Sequence, residues 1–78
     1  MQQIEDLIGY IARSLVDDPD AVEVVQREAG RTTIVELSVA PDDTGKVIGR
    51  EGRVAKALRN ILRVAGNRQR RRVILEID

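Results

Sequence analysis

Gly49 and Gly52, separated by Arg50 and Glu51, interrupt a stretch whose apolar residues have helical spacing on both sides. The chain must turn sharply there, and glycines let backbone approach backbone, or a ligand, with no Cβ in the way. Val54, Leu58, Ile61, Leu62 and Ala65 resume a three- and four-residue spacing after the turn. That pattern predicts a helix of about 13 residues from Arg53, ended by Gly66 and Asn67. A helix starting at the turn would aim its unpaired N–H groups at whatever lies against the loop, which favours an anion.

Around this turn the rest of the chain falls into order. Ile4, Leu7, Ile8, Ile11, Ala12 and Leu15 predict an amphipathic helix from about Gln3 to Val16, stopped by Asp17, Asp18 and Pro19. Ala21 to Glu28 and Thr32 to Ala40 alternate as strands joined at Gly30 and Arg31, an antiparallel hairpin with Val35, Leu37 and Val39 inward. Asp42 or Asp43 can cap a short helix through Ile48. Val73, Leu75 and Ile77 mark a last strand. The order is α-β-β-α-α-β, one α+β domain over residues 1–78. A helical crossover between two strands returns them parallel, so the sheet is expected to be three-stranded and mixed, with helices on one face.

Composition narrows the function. The chain has 78 residues, no Cys, no His, no Trp or Phe, and Tyr10 as its one aromatic. Thiolate chemistry is absent, and a metal site has lost its usual ligands. Ser14 and Ser38 have no His to activate them, and no compact carboxylate pair is recognisable. TGKVIGREG lacks the phosphate-binding GxxxxGK[ST] spacing, so Gly45 and Lys46 are not Walker elements. No enzyme and no cofactor is expected. The start MQQIEDLIGY is not a secretion signal and no apolar run is long enough to cross a bilayer, so the reading is a cytoplasmic protein.

Net charge is zero, yet the halves differ. Residues 1–43 hold three basic and ten acidic side chains, a charge of −7, and residues 44–78 hold ten basic and three acidic, a charge of +7. Such a split suggests a basic face for a polyanion, unless the two halves intermix in the fold.

VIGREGR, with Val47 and Ile48 before the glycines, Arg50 inside and Lys46 and Arg53 beside them, set between a short and a longer helix, resembles the signature loop of the K homology (KH) RNA-binding domain. The element order matches the type II arrangement over essentially the whole chain. A chain that is one such domain and little else is similar to the bacterial KhpA family. The resemblance implies an RNA chaperone or post-transcriptional regulator, working with a larger KH-containing partner of the KhpB type and affecting cell shape and cell-wall homeostasis. It also implies a loop that clamps about four single-stranded nucleotides by their backbone.

On these residues the clamp consists of Gly49 and Gly52 with N–H groups from Arg50 to Arg53 donating to phosphate oxygens, and Lys46, Arg50 and Arg53 supplying charge. Ile48, Val54 and Ala55 are assigned to the groove floor, and polar atoms along Thr33 to Val39 to base edges. Glu51 lies in the loop without an assigned role beyond tempering nonspecific binding. With no aromatic near the loop, base stacking is missing and binding should depend strongly on salt. The run Arg68 to Arg72 has two readings: Arg70 and Arg71 as a second RNA contact, or basic residues complementing a helix C-terminus. Ile61 has two as well, core packing or a homodimer seam if it is exposed. An adaptor that keeps the fold chiefly to hold a protein partner is the competing class.

Overall fold

The computed structural model describes residues 2–78, with side chains from Gln3 onward; Met1, included in the expected domain, lies outside the described residues. The six expected elements are present: α1 (Gln2–Leu15), β1 (Glu23–Ala29), β2 (Thr32–Ser38), α2 (Thr44–Ile48), α3 (Arg53–Arg68) and β3 (Arg72–Ile77), with short 3-10 turns at Pro19–Ala21, Pro41–Asp43 and Arg50–Gly52.

The sheet order is β1-β2-β3. β1 and β2 are antiparallel, in a register running from Glu23 opposite Ser38 to Ala29 opposite Thr32. Gly30 at φ 62° makes the two-residue turn, and Arg31 needs no positive φ, the pattern of a hairpin with glycine at its first central position. β3 runs parallel to β2, Val35 beside Leu75, with α2 and α3 as the crossover.

Alternation along β2 sorts the sheet into two faces. Thr33, Val35 and Leu37 are fully buried, while Ile34, Glu36 and Ser38 between them are half-buried. The buried face meets Ile4, Ile8 and Ala12 of α1, Val47 of α2, Leu58 and Leu62 of α3, and Leu75 of β3. Each large aliphatic side chain enclosed there contributes about 1.5 to 3 kcal/mol, which is how a core with no aromatic ring holds the domain together. Among the described residues no helix is long and apolar enough to cross a membrane.

Four local expectations change. Leu7 and Leu15 complete the apolar stripe of α1 in sequence but stay 40% and 39% exposed, because one thin sheet cannot cover so wide a stripe. β1 begins at Glu23, and Val22 is buried ahead of it. Asp43 precedes α2 without capping it through its side chain, which turns to another segment. α3 runs 16 residues, through Gly66, instead of stopping there. Gly66 serves packing: a Cβ on it would lie 2.6 Å from the Arg71 carbonyl oxygen and 2.8 Å from Val73 Cγ2.

Candidate nucleic-acid interface

α2 is only five residues long, so the position of the glycine turn at its end depends on how firmly this short helix is anchored. Val47 is fully buried, and Gly49 N–H closes the last turn on Gly45 O at 2.9 Å. Gly49 then takes φ 80° and ψ 169°, a region open essentially to glycine alone. Here glycine is required twice over, because a Cβ would also sit 2.5 Å from Val54 Cγ2 and 2.9 Å from Val54 N. Val54 fills the space beneath the loop and is half-buried against the core.

Glu51 (φ 56°, ψ 23°) and Gly52 (φ 73°, ψ 17°) come next, in the left-handed region, and lead into α3. Gly52 N–H donates to Gly49 O at 3.1 Å and Arg53 N–H to Arg50 O. Of the four N–H groups expected to meet phosphate, those of Arg50 and Glu51 have no internal acceptor among the described residues. A Cβ at Gly52 would meet nothing within 4 Å, so the loop's outer surface opens to solvent. Arg50, Glu51 and Arg53 are exposed there. A weak pair joins Arg53 and Glu51 at 3.5 Å, both side chains largely in water. Ile48, exposed, ends α2 next to the loop, whereas Ala55 is buried and does not line a surface.

Lys46 is engaged elsewhere. Its Nζ donates to Asp17 Oδ2 and, at 3.2 Å, to Asp43 Oδ1, while Asp18 N–H donates to Asp43 Oδ2 at 3.1 Å. Hydrogen bonding to Asp17, then to Asp43, raises the Lys46 pKa above its ordinary value. Burial pushes the Asp43 carboxyl up, but its hydrogen bonds from Asp18, Lys46 and Asp17 together outweigh this and leave it below the ordinary carboxylate value. The network pins α2, and therefore the loop, to the segment after α1. A cation already matched by two carboxylates adds less to the loop's potential than Arg50 or Arg53.

A groove of about 610 Å³ runs between α3 and β3, lined by Arg59, Asn60, Arg63 and Asn67 on the helix, Arg70 and Arg71 in the loop and Arg72 to Leu75 on the strand. It contains five arginines and no carboxylate. β3 is the edge strand on this side, with β2 enclosed between β1 and β3. β3, not β2, is therefore the strand wall of this groove, and Thr33 on β2 is fully buried, accepting from Arg71 Nε at 2.9 Å. Arg59 and Arg63 lie off the apolar stripe in sequence, but which wall they face is set by the fold, and Asn67, expected to end the helix, extends their row because α3 continues through it. The charge halves intermix in part, as in the Arg71–Glu28 pair at 3.7 Å, yet the groove itself stays basic.

A glycine turn joining two helices, laid against a three-stranded mixed sheet in the order α-β-β-α-α-β, defines a type II KH domain. Two crystal structures share the fold: Aquifex aeolicus Era bound to GDP and aluminium fluoride (TM-score 0.61, 17% identity, 96% of this chain and 29% of that one), and Era with MgGDPNP and a 16S ribosomal RNA segment (TM-score 0.56, 19% identity, 95% and 28%). Residues 5–77 match the profile of the KhpA/KhpB KH domain. The RNA-binding protein KhpA of Caldanaerobacter subterraneus is 49% identical over 92% of this chain and 96% of its own, and that of Halalkalibacterium halodurans is 50% identical over 95% and 97%. KhpA of Bacillus subtilis is 45% identical over 97% of this chain and 94% of its own. The chain belongs to the KhpA/KhpB family of KH domains.

Proposed function

We propose that the chain is a non-catalytic RNA-binding protein that clamps single-stranded RNA at Gly49–Gly52 and leads it along the groove between α3 and β3. The observation that carries this reading is an open glycine loop at the N-terminal end of α3, whose further turns wall a five-arginine groove free of carboxylates. The free N–H groups of Arg50 and Glu51 take one phosphate, with Arg50 and Arg53 adding charge. Ile48 and Val54 give the bases an aliphatic bed beside the loop. Tyr10 lies on α1, away from the groove lining, so no ring stacks on a base and affinity rests on phosphate contacts.

Introducing a negative charge tests the loop. Gly52→Asp fits the left-handed backbone better than most residues and meets no neighbour, so the fold is retained. Titration of a labelled single-stranded RNA should then show a large loss of affinity with an unchanged circular dichroism spectrum. Unaltered binding would remove the clamp.

Ile61 and Val64, 42% and 49% exposed on α3, favour a second property, a homodimer through that helix. The finer roles rest on family likeness alone: chaperoning or post-transcriptional control of RNA in the cytoplasm, a KhpB-type partner, and an influence on cell shape and wall homeostasis.

A further inference from the structure

We infer that Arg70 contacts a backbone phosphate of the RNA at the end of the α3–β3 groove remote from Gly49–Gly52, from a position where the fold itself calls for glycine. The inference rests on the RNA binding proposed for this chain. α3 closes with Arg70 N–H donating to Asn67 O at 3.2 Å and Arg71 N–H to Gly66 O at 2.8 Å. This reciprocal pair, the Schellman closure, requires the residue in Arg70's place to be left-handed, and φ there is 57°. Glycine adopts that conformation freely; an L side chain is strained in it.

Nothing inside the fold accounts for an arginine at this point. Its side chain is exposed and has no hydrogen bond or ion pair among the described residues. Arg71, next to it, differs: its Nε donates to Thr33 Oγ1 and its Nη2 to Gly30 O at 3.2 Å, tying the loop to β2 and the hairpin turn. Arg71 is a structural latch that holds Arg70 in place. Arg70 shares the groove lining with Arg59 and Arg63 from one wall and Arg72 from the other, a setting in which a guanidinium fork meets phosphate oxygens and finds no internal carboxylate to compete. Strain maintained at a surface side chain with no internal partner marks a side chain used on something external.

The test is a titration of the full chain with a fluorescent oligouridylate of about 12 nucleotides, followed by anisotropy from about 50 to about 300 mM KCl. Arg70→Gly should raise the melting temperature by about 4 °C while weakening binding about fivefold. The slope of log affinity against log salt should become shallower by about 0.7, one phosphate on a single strand. Arg70→Lys should keep most of the slope. Wild-type affinity and slope in Arg70→Gly, with Gly52→Asp defective in the same assay, would overturn this inference and leave the loop clamp standing. Loss in Arg70→Gly with none in Gly52→Asp would support the contact and remove the clamp instead.

Discussion

A methyl group added at Gly52 sits at φ 73° and ψ 17° with nothing within 4 Å. The left-handed backbone costs an alanine about 1 to 2 kcal/mol. Losing glycine's freedom in the unfolded chain offsets about 0.4 to 1 kcal/mol, so Gly52→Ala should destabilise by about 0.5 to 1.5 kcal/mol. At Gly49 the same methyl meets φ 80° and ψ 169° together with Val54 Cγ2 at 2.5 Å and Val54 N at 2.9 Å. The conformation costs up to about 3 kcal/mol, and overpacking adds about 1 to 3, because the backbone nitrogen cannot swing aside as a flexible side chain would. Net of the same offset, Gly49→Ala should lose about 3 to 5 kcal/mol, a large part of the roughly 4 to 12 expected for a domain of this size. In thermal melts followed by circular dichroism that is a drop of more than about 12 °C, against about 3 to 9 °C for Gly52→Ala. Urea melts give the free energies directly. If the two variants agree within about 0.5 kcal/mol, or if Gly52→Ala is the weaker protein, the assignment of distinct roles to the two glycines is refuted.

Three further substitutions probe the supports around the interface. Asp43 has a folded pKa below its ordinary 3.8, so its contribution is complete above that value and disappears as pH falls through the folded one; Lys46, raised above 10.5, contributes below 10.5 and loses its share as pH rises through its folded value. Asp43→Asn should therefore melt earlier than the parent at neutral pH and converge with it in acid, and a gap that persists in acid would count against the network. Gly66→Ala gains about 1 kcal/mol of helix propensity against about 1 to 3 kcal/mol of overpacking and should lose up to about 2 kcal/mol net, because its methyl has backbone at Arg71 against it; a raised melting temperature would show that the contact yields. Ile61→Asp should leave the monomer folded and halve the mass measured by light scattering, whereas a parent that already has the monomer mass would dispose of the dimer.

The element order was readable because it depends on short-range pattern. Valine-rich sequence in β1, Val35 and Leu37 alternating with Ile34, Glu36 and Ser38 in β2, isoleucines and leucines at helical spacing in α1 and α3, and Pro19 as a stop each act on their immediate neighbours. The glycine pair was readable for the same reason, since a backbone that must turn within a few residues has few alternatives to glycine. Misjudged ends had local signals that tertiary packing overrode. Gly66 has the appearance of a helix terminator, yet it lies within α3 because β3 and its approach pass too close for any side chain.

By itself, then, the sequence determined an α+β domain, its sheet, and a basic glycine turn between helices suited to an anion. Tertiary structure alone decided which charges remain free. Lys46 meets Asp17 across 29 residues of chain as well as Asp43 three residues before it, and Arg71 meets Thr33 across 38, so the distant partner of each cation could not be read from its neighbours in sequence. It also placed Arg59, Arg63 and Arg72 across one groove and set Arg70 in the left-handed closure of α3. Charge is a property of a residue, whereas its availability is a property of the distances that folding sets between residues remote in the chain.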